Sequence, residues 1–94
     1  MRSLRLTPKF KRAFRKFVKR NPVLQKRVES TLQQMASDVS APKLGAHKLS
    51  GNMANLNACS CGYDCRIVFK IKKDMETGAE AIILIDIGTH DDVY

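Results

Sequence analysis

The sequence contains no apolar run long enough to cross a membrane. A transmembrane helix needs roughly 20 predominantly apolar residues, and no stretch of the 94 residues approaches that length. The first residues, Met1 to Leu6, are basic but lack the apolar core and the cleavage site of a secretory signal. We therefore expect a protein that remains in the cytoplasm and has no membrane partner.

Acidic residues are scarce, above all in the first third of the chain. The sequence has 17 Lys and Arg against 9 Asp and Glu, which gives a formal net charge of +8. Residues 1–29 contain eleven of the cations and a single acid, Glu29. Such a surface attracts polyanions and is typical of nucleic-acid-binding proteins, although a solvated helix face or an acidic protein partner would also explain it. The cations predicted to contact nucleic acid are Lys9, Lys11, Arg12, Arg15, Lys16, Lys19, Arg20 and Lys48.

Cysteine is limited to Cys59, Cys61 and Cys65, which lie within one short segment. The odd number argues against a simple disulfide framework, and the second ligand pair of a typical zinc site is missing. In an extended strand, all three side chains would point to one face. We therefore predict buried free thiols, with metal binding and redox sensing as alternatives. The main prediction includes no metal site and no cofactor.

The first half of the chain carries the start signals of two helices. A short alternating segment around Arg5 predicts a strand. Thr7 and Asn21 are each followed by proline, which combines an N-cap residue with proline at the first helical position. We predict that the second helix ends near Ser37. The apolar faces comprise Phe10, Phe14, Phe17 and Val18 in the first helix and Leu24, Val28, Leu32 and Met35 in the second.

From Asn57 onward, apolar residues recur with a period of two, which is typical of strands. Residues 81–85 are apolar without interruption, so this strand should lie inside the sheet. With 44% hydrophobic and 28% charged residues, we expect residues 1–94 to form one globular domain. The predicted fold class is α+β, with an N-terminal strand and a helical hairpin packed on a small, mostly antiparallel sheet.

Three short motifs resemble a known family. They are His47-Lys48-Leu49-Ser50-Gly51, the segment Cys61-Gly62-Tyr63-Asp64-Cys65-Arg66-Ile67-Val68-Phe69, and Ile87-Gly88-Thr89-His90 followed by the terminal Tyr94. In these motifs the chain resembles the RelE/ParE superfamily of small bacterial toxins, and within it the YafQ-like messenger-RNA endoribonucleases. The resemblance implies the RelE-like microbial RNase fold.

The resemblance also implies an activity and a set of partners. Toxins of this kind cleave mRNA in the ribosomal A site by attack of the messenger's own 2′-hydroxyl on the neighbouring phosphate, without a metal. The implied partners are the ribosome with its rRNA, the mRNA, and a cognate antitoxin that keeps the toxin inactive. Operator DNA would be contacted only indirectly, through the antitoxin.

Five residues match functional positions of the family. The resemblance implies that His90 is the general acid and His47 the general base, and that Arg66 stabilises the phosphate. Asp64 would orient a histidine or contact the substrate, and Tyr94 would stack on a base or steady the phosphate. A histidine in a polar turn at the end of a strand suits proton transfer independently of the resemblance, because its pKa lies near neutral.

Other interpretations of these residues remain open at this point. His47 would otherwise be a surface histidine in a loop, Arg66 would pair with Asp64 along one strand face, and Tyr94 would be part of a frayed terminus. The YafQ-like group has a further histidine where this chain has Ser60. The alternative functions are a ParE-like DNA gyrase inhibitor and a catalytically weakened RNA-binding or ribosome-binding toxin. Two histidines favour RNA cleavage, because a gyrase inhibitor does not need them.

Overall fold

The computed structural model describes residues 2–53 and 55–93 of the chain. The elements follow in the order β1 Ser3–Leu6, α1 Pro8–Phe17, α2 Pro22–Ser37, β2 His47–Lys48, β3 Asn57–Ser60, β4 Arg66–Lys73, β5 Glu80–Gly88 and α3 His90–Val93, with short 3-10 helices at Pro42–Leu44 and Gly51–Met53. The predicted first strand and both predicted helices are therefore confirmed. Within the described residues, no helix is long and apolar enough to cross a membrane.

Both long helices begin at the predicted caps. The side-chain oxygen of Thr7 accepts a hydrogen bond from the backbone N–H of Phe10, and that of Asn21 accepts one from Leu24. Each bond satisfies a backbone donor that the first helical turn leaves without a partner. The Thr7 hydroxyl also donates to the carbonyl of Leu84 in β5, which ties the start of α1 to the sheet.

The five strands form one sheet in the order β1-β5-β4-β3-β2. β1 runs parallel to β5, and the other three neighbouring pairs are antiparallel. The predicted α+β class and the mostly antiparallel sheet are thus confirmed, and β5 lies inside the sheet as predicted. The two helices carry the chain from β1 at one edge of the sheet to β2 at the other edge, and the antiparallel strands then return to place β5 beside β1.

The core lies between the helices and one face of the sheet. Phe10 of α1, Val28 and Met35 of α2, and Ile67 and Leu84 of the sheet are each fully buried in it. The other residues of the predicted apolar faces also contribute, since Val18 is buried in the core and Phe14, Phe17, Leu24 and Leu32 pack against it while partly buried. Because this core occupies one face of the sheet, strand residues of alternate parity point to the other face.

The cysteine prediction is correct for one residue and wrong for two. Cys59 in β3 is a free, buried thiol whose Sγ lies 3.7 Å from Sδ of Met35, and burial raises its pKa to about 12. Cys61 and Cys65 form a disulfide. The prediction assumed one extended strand, but β3 ends at Ser60 and the chain turns back, which brings the two sulfur atoms together.

Candidate functional site

The candidate site lies at the end of the sheet where β3, β4 and β5 meet. Arg66, the first residue of β4, is paired with Ser60 of β3 on one side and with Gly88 of β5 on the other. Two residues after Gly88, the chain enters α3 at His90. The register therefore brings Arg66 and the His90 segment to the same end of the sheet.

A reciprocal cap holds the first turn of α3. The backbone N–H of Thr89 donates to Oδ2 of Asp92, at 3.1 Å, and the backbone N–H of Asp92 donates to Oγ1 of Thr89, at 3.2 Å. This is the geometry of a capping box. A Cβ added at Gly88 would lie 2.7 Å from Cβ of Asp92, so glycine is required for α3 to fold back this closely. His90 is consequently the first residue of a fixed helical turn.

Asp64 connects the loop between β3 and β4 to α3. Its Oδ1 accepts a hydrogen bond of 3.0 Å from the backbone N–H of His90. The Nδ1 atom of His90 also lies 3.6 Å from Oδ1 of Asp91, an ion pair when the imidazole is protonated. Asp64 therefore orients the residue that carries the imidazole, through its backbone.

The alternative interpretation, in which Arg66 pairs with Asp64 along one strand face, does not hold among the described residues. Asp64 precedes β4 and has a left-handed backbone, with φ of 50°, a conformation that aspartate tolerates better than most residues. Arg66 instead donates from Nη1 to the carbonyl of Cys65 at 2.9 Å, to that of Gly62 at 3.3 Å and to Oγ of Ser60 at 3.5 Å.

These contacts anchor one end of the Arg66 guanidinium. All three described hydrogen bonds use Nη1, and the side chain forms no ion pair with a described residue. Guanidinium offers five N–H donors in a planar fork, so the other donors remain available to an anion. The Ser60 hydroxyl that accepts from this arginine also donates to the carbonyl of Gly62, at 3.2 Å, so Ser60 belongs to the loop that holds the guanidinium.

The Cys61–Cys65 disulfide closes the loop that carries Asp64. The backbone N–H of Cys61 donates to the carbonyl of Cys65 at 3.0 Å, and that of Cys65 donates to the carbonyl of Gly62 at 3.4 Å. With Arg66 bound to the same carbonyls, the loop is held from both sides. Tyr63 is 98% exposed at its tip, so the disulfide positions polar and aromatic groups at the surface.

Breaking this disulfide should destabilise the folded chain. Closing a loop of about five residues removes chain entropy equivalent to about 2 kcal/mol from the unfolded state. We expect Cys61→Ser with Cys65→Ser to lower the free energy of unfolding by about that amount in urea denaturation. A reducing agent should have the same effect on the parent chain and none on the double variant, whereas equal stability of the oxidised and reduced parent would contradict the prediction.

His47 is not brought into contact with the other candidates. It lies on the edge strand β2, opposite Ala58 of β3, and its Nδ1 is 3.0 Å from the carbonyl of Gly45. β2 is two strands away from β4, which corresponds to about 10 Å between backbones. Paired residues share a face of the sheet, so His47 and Arg66 point to the same side. The structure therefore places His47 on the same face of the sheet as Arg66 but apart from it.

The predicted basic surface is present on α1 and the turn after it. All seven cations from Lys9 to Arg20 are exposed, as is Lys48 on β2. Lys9 is engaged in part, since its Nζ lies 3.5 Å from Oδ2 of Asp86 in β5. Lys16 lines an open groove of about 420 Å³ with Asp86 and Asp92. The basic face of α1 thus approaches α3 and the candidate site from the β5 side.

Tyr94 lies outside the described residues. No group of three or more His, Cys, Asp or Glu side chains suited to a metal ion occurs among residues 2–53 and 55–93. Sequence reasoning missed the capping pair Thr89 and Asp92, although a threonine followed three residues later by an acid is a recognisable signature. It also missed the hydrogen bond between Arg66 and Ser60, which no local sequence pattern predicts.

The chain is similar to known bacterial toxins along its whole length. A family model described as "Bacterial toxin of type II toxin-antitoxin system, YafQ" matches residues 2–94. No curated protein matches the sequence. A crystal structure of YafQ from E. coli strain BL21(DE3) has a TM-score of 0.79 at 10% identity, covering 100% of this chain and 99% of that one.

Two further solved structures are informative. A metal-bound toxin from Helicobacter pylori has a TM-score of 0.76 at 23% identity and covers 100% of both chains. The toxin of the E. coli DinJ-YafQ toxin-antitoxin complex has a TM-score of 0.76 at 12% identity, covering 99% of this chain and 97% of that one. At these identities the likeness shows a shared fold, and it agrees with the RelE-like fold expected from the sequence.

Proposed function

Since the chain belongs to the YafQ family of bacterial toxins of type II toxin–antitoxin systems, we propose that it is a ribosome-dependent mRNA endoribonuclease. The observation that supports this most directly is the convergence of Arg66, Asp64 and His90 at one end of the sheet. An anchored guanidinium and an imidazole on a fixed helical turn supply a cation for a phosphate and a proton donor for a leaving oxygen.

In the proposed reaction the messenger's 2′-oxygen forms a bond to the adjacent phosphorus, and the bond from phosphorus to the 5′-oxygen breaks. His90 donates a proton to the departing 5′-oxygen, which leaves as a hydroxyl. Arg66 stabilises the negative charge that builds up on the phosphate, with the donors that the loop does not occupy. The products are a 2′,3′-cyclic phosphate and a 5′-hydroxyl end.

His47 is the proposed general base, which takes the proton from the 2′-hydroxyl. The sequence contains only two histidines, and His47 lies on the same face of the sheet as Arg66. Because His47 is separated from Arg66 by two strand spacings, its side chain has to turn away from the Gly45 carbonyl to reach the 2′-hydroxyl. The RNA has to span the distance between His47 and Arg66. The ribosome would complete the geometry by presenting the messenger in one conformation.

The proposed regulatory partner is a cognate antitoxin, and the proposed docking surface for the ribosome is the basic face of α1. The similar E. coli toxin occurs in a complex with DinJ. An acidic antitoxin segment would be attracted to a chain of net charge +8. Operator DNA would be contacted only through the antitoxin. Tyr94 is the residue proposed to stack on a base or to steady the phosphate.

Inhibition of DNA gyrase is the alternative function. A protein that binds gyrase without chemistry needs neither an anchored arginine nor an imidazole on the same surface. The presence of Arg66 in β4 and His90 in α3 at the same end of the sheet therefore favours RNA cleavage. The two proposals differ in their target, so measurements on RNA and on DNA separate them.

Primer extension on a messenger in a purified translation system tests the proposal. We expect cuts inside the coding region that depend on added ribosomes and disappear when the antitoxin is included. Cuts in free RNA at the same rate would remove the ribosome from the mechanism. If folded protein makes no cuts but traps gyrase on DNA, the alternative function is correct.

A further inference from the structure

An open groove of about 340 Å³ lies between α2 and the end of β3, beside the disulfide loop. The residues that line it include two cations, Arg27 and Lys43, together with the hydroxyl residues Ser30, Thr31 and Ser60. None of the lining residues is acidic. A groove of this composition is suited to an anion.

Arg27 is positioned in this groove by the loop itself. A Cβ added at Gly62 would lie 2.9 Å from Cδ and 3.2 Å from Nη1 of Arg27, so the arginine stem packs on bare backbone. Gly62 also has a φ of 128°, which other residues rarely adopt. Neither Arg27 nor Lys43 forms an ion pair with a described residue. Both charges are therefore available to a ligand.

The groove is continuous with the candidate site. Arg66 donates from Nη1 to Oγ of Ser60 and to the carbonyl of Gly62, and both of these residues also line the groove. Gly62 is thus contacted by two arginines, because Arg66 donates to its carbonyl and the stem of Arg27 packs on its backbone. Both cationic side chains therefore lie against the same loop.

We propose that this groove binds the mRNA phosphate next to the one that is cleaved. The inference rests on the proposed function, because it takes the scissile phosphate to lie at Arg66. A single RNA strand that continues across the loop brings its next phosphate to Arg27 and Lys43, while the Ser30 hydroxyl can donate to the same group. Cationic grooves that follow the backbone are a general means of binding single strands.

An acidic segment of the antitoxin is the competing occupant. The position of the groove next to Arg66 favours RNA. A phosphate bound at Arg66 would fix where the neighbouring phosphate of the same strand must lie. A protein carboxylate has no such constraint. If RNA occupies the groove, one particular phosphate should contribute to the binding affinity of the parent chain, and this contribution should disappear when the groove cations are removed.

Binding of the toxin to programmed ribosomes tests this prediction. The messenger carries a 2′-deoxyribose at the attacked position, which blocks cleavage, and an uncharged methylphosphonate in place of the phosphate on one side or the other of the scissile phosphate. We expect the methylphosphonate on one of these two sides to weaken binding of the parent chain by about tenfold, which is the effect of losing a charge-assisted hydrogen bond. The variant Arg27→Gln with Lys43→Gln should bind the unmodified messenger less tightly by a similar factor. Its binding should not change when the methylphosphonate is introduced.

The matched control is Lys26→Gln with Lys70→Gln, which removes two exposed cations outside the groove and should retain the full dependence on the phosphate. A groove variant that keeps the tenfold dependence overturns the proposal, as does a parent that cleaves mRNA but responds to neither replacement. A groove variant that loses affinity only for the antitoxin assigns the groove to that partner instead. A parent that cleaves no mRNA on ribosomes refutes the proposed function itself, and the inference with it.

Discussion

His90→Ala should abolish ribosome-dependent mRNA cleavage while leaving the fold intact. Loss of a general acid typically costs about 10²-fold to 10⁴-fold in rate. The hydrogen bond that ties α3 to the loop uses the backbone N–H of His90, which alanine retains, and the imidazole side chain is 62% exposed. Stability should therefore change little. Single-turnover cleavage on programmed ribosomes measures the effect.

Two controls make this result specific to the imidazole. Asp91→Asn removes the carboxylate 3.6 Å from Nδ1 of His90 but keeps the ring, and we expect it to retain most of the activity. Thermal unfolding of His90→Ala should coincide with that of the parent. Cleavage by His90→Ala at the parental rate would show that another group protonates the leaving oxygen, and the mechanism proposed for α3 would be wrong.

Arg66→Ala should be comparably damaging to cleavage, by about 10²-fold to 10³-fold, which is the usual effect of removing a group that stabilises transition-state charge. Arg66→Ala should also destabilise the fold more than His90→Ala does, because the carbonyls of Gly62 and Cys65 lose a hydrogen-bond donor. We expect a loss of about 1 to 3 kcal/mol in the free energy of unfolding. Activity and stability must therefore be measured on the same preparations.

Arg66→Lys and Ser60→Ala separate the two roles of this arginine. Lysine keeps the positive charge but not the planar fork, so cleavage should recover only in part. Ser60→Ala removes one acceptor, at 3.5 Å, and leaves the guanidinium in place, so it should have a small effect on cleavage. If Ser60→Ala and Arg66→Ala were equally inactive, Arg66 would act by holding the loop and not by contacting the phosphate.

Elements with local causes can be predicted from the sequence alone. The caps at Thr7 and Asn21 act on backbone groups three residues away, and the apolar periodicities of α1, α2 and β4 depend only on spacing along the chain. The α+β class follows from the order of these elements. The candidate roles of His90 and Arg66 came from short motifs, which identify residues but do not measure the distances between them.

Tertiary structure decided the contacts that join distant parts of the chain. The hydrogen bond from the backbone N–H of His90 to Oδ1 of Asp64 spans 26 positions, and Arg27 meets Gly62 only because α2 packs beside the end of β3. The Cys61–Cys65 disulfide depends on where β3 stops, and this end is set by the register with β4. Such contacts follow from how the sheet and helices pack together, so periodicity and composition could predict the surfaces but not which side chains meet on them.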